Sequence, residues 1–179
     1  MTSPDQRADA VDNFLSRGDI SANRAQVVVA EFPETAKSIS GWIQDAAAVR
    51  DWRRVERLAN LAALLRAPGL GEVLQSILSS DVRDGLNEED LVDILGEIGA
   101  VGAARTIFQV VERSLETDAP AYWLCQKAIG ALCDIGTEEA RRYLCEMTTD
   151  SWPDPIRWHA AVGLCVEDEL GFDEDSMLE

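Results

Sequence analysis

Two stretches of the chain end in the same way, LVDILGEIG at 91–99 and QKAIGALCDIG at 126–136. In each stretch, apolar residues recur at the three- and four-residue spacing of one helix face, and the pattern closes on Ile-Gly. Glycine adopts a left-handed conformation at a helix end without a Cβ clash, so Gly99 and Gly136 are predicted to end helices. A chain that repeats a helix ending in this way is predicted to be built from repeated helical units.

The repetition extends to four copies. Leu95 aligns with Leu132 at a spacing of 37 residues; Leu65 precedes Leu95 by 30, and Leu164 follows Leu132 by 32. We expect these four leucines to occupy equivalent, inward-facing positions, with Gly69 in the place of Gly99 in the first copy. A second amphipathic pattern follows each of the first three anchors. One helix pair cannot bury its apolar stripe alone, so stacked pairs would share a continuous core.

Polar residues and prolines mark the expected helix starts. Asn87 precedes three acidic residues and Thr137 precedes two, a pattern that caps a helix and places negative charge at its N-terminus. Pro120 and Pro155 are predicted to lie in first turns, where a missing N–H costs nothing.

The segments IRWHAAVGL at 156–164 and LGEIGAVGAARTIFQVV at 95–111 resemble HEAT repeats, most closely the short bacterial kind named after phycobilisome lyases. The resemblance extends over about 53–166. It implies an all-α, right-handed α-solenoid (superhelix) of about four helix pairs. It implies architecture more than activity, because this family includes scaffolds, lyases, nucleic-acid enzymes and inhibitors.

The chain is predicted to be a single domain, 1–179, with an N-terminal helical cap at 1–50 and HEAT-like repeats at 51–166. Helical patterns beginning at Pro4, Ser21 and Pro33 form the expected cap, which would cover the apolar face of the end repeat. Residues 167–179 hold seven acidic residues and no basic ones. Either a short closing helix or a frayed tail fits this acidic C-terminal segment.

Acidic residues outnumber basic ones by 33 to 16, a formal net charge of −17. Such a field repels nucleic-acid phosphate and anionic membranes and attracts basic proteins, although solubility alone explains it equally well. The basic cluster RDWRRVER at 50–57 is diluted by two acidic residues, so we expect no direct nucleic-acid binding. No apolar run reaches the length of a membrane span, and no secretory signal is evident, which favours the cytoplasm.

Catalytic and metal-binding patterns are not evident. The chain has no C-x-x-C pair, no phosphate-binding glycine loop and one histidine, His159, without a nucleophile at helical spacing. We therefore expect no enzyme activity, no cofactor and no metal. Cys125, Cys133 and Cys145 fall at core-like helical positions and, with Cys165, are expected to be reduced thiols in a cytosolic protein.

The candidate binding residues lie in the C-terminal half. The segment TTDSWPDPIRW at 148–158 contains two tryptophans, and a third, Trp123, lies at an earlier helix start; Trp152 is either an interface anchor or a packing wedge. The resemblance places the second helices of HEAT pairs along a concave groove, which adds polar residues from two helices. The predicted partner-binding residues are Trp123, Gln109, Glu112, Arg142, Glu146, Trp152, Asp154 and Trp158.

The favoured hypothesis is a non-enzymatic protein-binding module. In its most concrete form, the chain is a bacterial immunity or inhibitor protein that masks a basic, nuclease-like toxin with its acidic surface and groove. Two alternatives stay open. One is a HEAT-like lyase or chaperone acting on a chromophore- or ligand-bearing protein, and the other is a structural adaptor.

Overall fold

The computed structural model describes the backbone of residues 4–172 and the side chains from Gln6 onward. This range contains α-helices and no β-strand, which confirms the all-α prediction. The helices are α1 (Pro4–Leu15), α2 (Ala22–Glu31), α3 (Thr35–Ala48), α4 (Trp52–Leu64), α5 (Leu70–Leu78), α6 (Glu88–Glu97), α7 (Ala104–Asp118), α8 (Trp123–Ile135), α9 (Glu138–Met147) and α10 (Asp154–Leu164).

Most of the expected helix starts are confirmed. The Ser21 hydroxyl accepts the backbone N–H of Arg24, and the Thr137 hydroxyl accepts that of Ala140 at 3.2 Å. Pro155 lies in the first turn of α10. The prediction for Pro120 is wrong, because the chain turns through a left-handed Tyr122 before α8 begins.

Several helices end on one residue with positive φ. At four of these ends, the residue that follows donates its N–H to the carbonyl five positions earlier, which satisfies a carbonyl that the helix leaves open. Gly99 ends α6 in this way. Gly136 ends α8 with one hydrogen bond, from its own N–H to the Leu132 carbonyl. Both glycines therefore end helices, as predicted. In the four helix ends with the hydrogen bond to the carbonyl five positions earlier, the positive-φ residues are Arg50, Arg66, Gly99 and Cys165.

The expected equivalence of four leucines is only half right. Leu95 and Leu132 lie four residues before the left-handed residue that ends their helices, and both are fully buried. Leu65 and Leu164 instead lie next to that residue and are half-buried. Their helices stop three residues earlier than the alignment requires.

Alanines take the buried positions in the two misaligned copies. Ala62 and Ala161 lie four residues before the left-handed Arg66 and Cys165, and both are fully buried. Gly69 is not the end of α4 but the residue that precedes α5. The shared feature of the four helices is therefore a small or aliphatic residue one turn before the end, and it need not be leucine.

The backbone divides into two compact units, residues 1–94 and 95–179. In the N-terminal unit, α3 and α4 pack together, and α1, α2 and α5 contact this pair. The core residues with no exposed surface in this unit are Val11, Ile39, Ile43, Val55, Leu58, Ala59, Leu61, Ala62, Leu74, Leu78, Leu91 and Val92. The three helices expected in residues 1–50 are α1 to α3.

The basic cluster at 50–57 is partly neutralised by α1. Arg54 pairs with Asp9 at 2.8 Å, and Arg57 donates two hydrogen bonds to Asp12 at 2.8 and 2.9 Å. The bonds to Asp12 raise the pKa of the Arg57 guanidinium above its ordinary value. Two of the four arginines that follow Val49 are thus engaged within the protein and do not form a free basic track.

In the C-terminal unit, α7 packs along α8, while α9 and α10 each contact α8 and one another. Gly96, in the last turn of α6, approaches α8 so closely that an added Cβ would lie 2.9 Å from the Ala131 Cα. After α10, residues 167–171 form turns, and residues 173–179 of the acidic C-terminal segment lie outside the described residues. None of the helices in the described range combines the length and apolar character needed to cross a bilayer.

Candidate protein-binding site

Three aromatic rings from separate elements of the C-terminal unit meet at the surface. Phe108 of α7 stacks on Tyr143 of α9 with ring centroids 4.3 Å apart and planes 11° apart. Trp152, in the segment between α9 and α10, lies 5.7 Å from Phe108 at an angle of 58°. Phe108 is buried, whereas Tyr143 and Trp152 are half-buried, so this aromatic cluster has a closed base and an accessible edge.

Local hydrogen bonds fix the segment that carries Trp152. The hydroxyls of Thr148 and Thr149 donate to the carbonyls of Cys145 and Glu146, both at 2.8 Å, and so continue the end of α9. The backbone N–H of Trp152 then donates to the Thr149 carbonyl at 3.2 Å. Threonine side chains that bond to nearby carbonyls define the path of such a segment, which orients the indole toward Phe108.

Charged residues surround Tyr143 on α9. Its hydroxyl lies 3.4 Å from a Glu139 carboxylate oxygen, and the Arg142 guanidinium lies 5.3 Å from its ring centre. Arg142 also pairs with Glu139 at 3.6 Å, and Glu146 lies on the same helix face one turn further on. All three charged side chains are exposed, so the ring is bordered by two carboxylates and one guanidinium.

A single arginine organises the acidic residues next to Trp152. Arg157 pairs with Asp150 at 2.6 Å and with Asp154 at 2.8 Å, and its guanidinium lies 5.3 Å from the ring centre of Phe172. The Arg157 side chain is 23% exposed, while those of Asp150 and Asp154 are 94% and 67% exposed. Each carboxylate therefore keeps open surface for another cation. We call this set the acidic aromatic surface: Phe108, Tyr143 and Trp152 with Glu139, Arg142, Glu146, Asp150 and Asp154.

The structure brings some of the predicted binding residues together and leaves others apart. Trp152, Asp154, Arg142 and Glu146 belong to the acidic aromatic surface. Gln109 and Glu112 are exposed on α7, beside and one turn beyond Phe108.

The other two tryptophans lie outside this surface. Trp158 contacts the His159 ring, with centroids 4.7 Å apart. Trp123 is 63% exposed and takes part in none of the described ring pairs. None of the described ring contacts joins any two of these three tryptophans.

Sequence reasoning missed Phe108 and Tyr143 as site residues. The helical spacing of Phe108 predicts a core position, and Phe108 is buried, but its ring also supports Tyr143 and Trp152. Tyr143 follows Arg142 in a helix whose other apolar residues face inward, and a tyrosine at the edge of such a stripe is the one signal that points to it.

The lone histidine and the four cysteines lie outside the acidic aromatic surface as it is defined above. Burial lowers the pKa of His159 below its ordinary value, which favours the neutral ring. No three histidine, cysteine or acidic side chains between Gln6 and Phe172 are grouped in a way that could hold a metal ion. The four cysteines are free; Cys125 is buried as predicted, Cys133 is half-buried, and the prediction of a buried Cys145 is wrong because that side chain faces solvent.

The buried thiol of Cys125 is expected to make the folded protein less stable at alkaline pH. Its thiol lies 3.4 Å from the buried Ser114 hydroxyl, and burial raises its pKa to about 11, above the ordinary value of 9.0. The folded thiol thus keeps its proton to a higher pH than the unfolded thiol does, so the free energy of unfolding falls as pH rises from about 9 to 11. Urea denaturation at pH 8 and pH 10.5 should show a larger loss for the native chain than for Cys125→Ala; equal losses would contradict this assignment.

Known proteins give no independent guide to this surface. In comparisons with protein-family models, curated proteins and solved structures, the chain has no match. The resemblance to HEAT repeats and the functions attached to it therefore stay predictions.

Proposed function

We propose that this chain is a non-enzymatic protein-binding module that recognises a basic protein through the acidic aromatic surface. The observation that supports this most directly is the half-buried pair Tyr143 and Trp152, held against Phe108 and bordered by exposed carboxylates. Aromatic side chains with a rigid base contribute most of the binding free energy at many interfaces, and they lose little conformational entropy on binding.

Charge is concentrated in the unit that carries this surface. Residues 95–179 contain 17 acidic and six basic residues, a formal net charge of −11, whereas residues 1–94 carry −6. A negative field of this kind accelerates encounter with a basic partner and repels phosphate backbones. The partner of the proposal is therefore a protein and not a nucleic acid.

The architecture that we propose is a right-handed α-solenoid of about four HEAT-like helix pairs preceded by the N-terminal helices. Support comes from the recurrent helix ending, in which a left-handed residue follows a fully buried residue by four positions. In this arrangement α7 and α9 are second helices of successive pairs, the position that lines the groove in the resemblance.

The most concrete form of the proposal is a bacterial immunity or inhibitor protein that acts in the cytoplasm and masks a basic, nuclease-like toxin. An inhibitor needs a complementary surface and no catalytic group. The negative charge would increase the association rate, and the aromatic cluster would decrease the dissociation rate.

Removing the Trp152 indole is expected to weaken partner binding at least tenfold, because an anchor ring contributes on the order of 2 kcal/mol at the centre of an interface. The native chain is immobilised and exposed to an extract of its source cells, and retained proteins are identified by mass spectrometry. We expect a basic protein that is retained at low salt and released at high salt, with nuclease activity that the native chain inhibits. Affinities of native and Trp152→Ala chains for the purified partner are then compared by calorimetry.

Leu64→Ala is the matched control, since Leu64 is an exposed apolar residue of the N-terminal unit at 46% exposure. It should bind the partner as the native chain does. Recovery of no basic protein at low salt, or equal affinities for Trp152→Ala and Leu64→Ala, would reject the proposed surface.

A further inference from the structure

The N-terminal unit contains an open cleft of about 490 Å³ that sequence reasoning did not foresee. Its walls come from the second half of α3, the start of α4, α5 and the segment that follows α5. This volume falls within the range of about 300–1,000 Å³ that is typical of small-molecule sites. The lining residues are Gln44, Ala47, Ala48, Arg50, Trp52, Val73, Ser76, Ile77, Ser80 and Val82.

Trp52 gives the cleft a fixed aromatic wall. Its indole N–H donates to the backbone carbonyl of Asp84 at 2.8 Å, which ties the first turn of α4 to the segment after α5. The hydrogen bond satisfies the only polar atom of the side chain. What the half-buried ring offers to a ligand is therefore apolar π surface, next to the buried Val73 and Ile77.

Arg50 supplies the one charge among the lining residues. It occupies the left-handed position that ends α3, with φ of 59°, where its N–H bonds to the Ala47 carbonyl. Three other arginines of this unit form ion pairs: Arg54 with Asp9, Arg57 with Asp12 and Arg83 with Glu88. Arg50 has no ion-pair partner among residues 6–172.

The charge of the cleft is opposite to that of the chain. With 33 acidic residues in the sequence, none of the ten lining residues is acidic, and one is an unpaired arginine. The remaining polar groups are the hydroxyls of Ser76 and Ser80 and the amide of Gln44, all of which can donate hydrogen bonds to oxygen. The lining thus combines an aromatic and aliphatic wall with donors and a cation, which complements an organic anion.

We propose that this cleft is a binding site for a small aromatic carboxylate, with the ring of the ligand against Trp52 and its carboxylate on Arg50. A carboxylate matches the planar donor fork of a guanidinium, and an aromatic body matches the apolar wall. The cleft shares no residue with the acidic aromatic surface, and a ligand in it would not require the proposed protein partner.

The probe for this site is 2-naphthylacetate, with the neutral 2-naphthylacetamide for comparison. Calorimetry of the full chain should give a dissociation constant of about 1 mM or tighter for the carboxylate, the affinity expected of a ligand of this size. Arg50→Gln should weaken carboxylate binding about fivefold, as for an exposed ion pair, and leave amide binding unchanged. Ser76→Leu, which adds bulk from an exposed position of α5, should abolish binding of both.

Arg66→Gln is a close control, because Arg66 ends α4 with the same left-handed conformation and does not line the cleft. Circular dichroism establishes that each variant is folded, and the Ser76→Leu result tests the site even if Arg50→Gln does not fold. Three outcomes would overturn the proposal: no binding of the carboxylate at 10 mM, equal affinity for acid and amide, or unchanged binding in Ser76→Leu.

Discussion

Replacing Leu132 with alanine is expected to destabilise the protein by about 3 kcal/mol. Leu132 has no exposed surface and lies four residues before the left-handed Gly136 that ends α8, a helix in contact with α7, α9 and α10. Truncation removes buried methyl groups and leaves a cavity among three helices that cannot all close on it. Urea denaturation followed by circular dichroism measures the loss.

The variant Leu164→Ala tests whether the loss of stability follows the burial of a leucine or its position in the repeat alignment. The repeat pattern aligns Leu164 with Leu132, but Leu164 lies at the end of α10 and is only half-buried. The expected loss is about 1 kcal/mol, since much of its area is in contact with water in the folded state. Equal losses for the two variants would mean that the aligned positions, and not the observed helix ends, define equivalent residues.

Replacing Gly96 with alanine is expected to cost about 2 kcal/mol, against the ordinary preference of helices for alanine over glycine. The new methyl group would lie 2.9 Å from the Ala131 Cα and 3.1 Å from its Cβ. The nearest atom belongs to the backbone, so a rotamer change cannot relieve the clash and the two helices must separate. The effect is measured by urea denaturation as above.

Gly130→Ala is the matched control, in α8 next to Ala131. Gly130 is exposed, and a Cβ there would meet nothing within 4 Å. Alanine should stabilise the protein by about 0.5–1 kcal/mol, because it reduces the entropy of the unfolded chain without a steric cost. If Gly96→Ala were stabilising as well, the close approach of α6 and α8 would be incorrect.

Features governed by neighbouring residues were predicted well from the sequence. The all-α class, the helix start at Ser21, the cap at Thr137, and the helix ends at Gly99 and Gly136 follow from side-chain chemistry that acts within one turn. These features required no knowledge of tertiary packing.

The helix ends at Arg66 and Cys165 could not be found in the same way. Neither residue type favours positive φ, so the residue types at these two positions do not mark them as helix ends. Because the ends moved by three residues relative to the alignment, Leu65 and Leu164 lost their expected burial.

The candidate site was predicted in part for a similar reason. Trp152, Asp154, Arg142 and Glu146 were chosen by residue type and helical spacing, and these four lie on one surface. The contact of Phe108 with Tyr143 joins residues 35 positions apart, and nothing in their local sequence specifies it. The cleft beside Trp52 is formed by four segments of the N-terminal unit. It could not be predicted, because nothing in the local sequence of each segment specifies how the four come together.

The ion pairs of Arg157 weaken the attraction of the carboxylates next to Trp152 for a cation of a binding partner. Because Asp150 and Asp154 already share one guanidinium, a lysine or arginine from another molecule would join an existing triad and would not meet two free anions. Discrimination among basic proteins would then depend on the shape presented to the indole and phenol rings. Many cationic proteins could associate with this face rapidly, but few would form a long-lived complex with it.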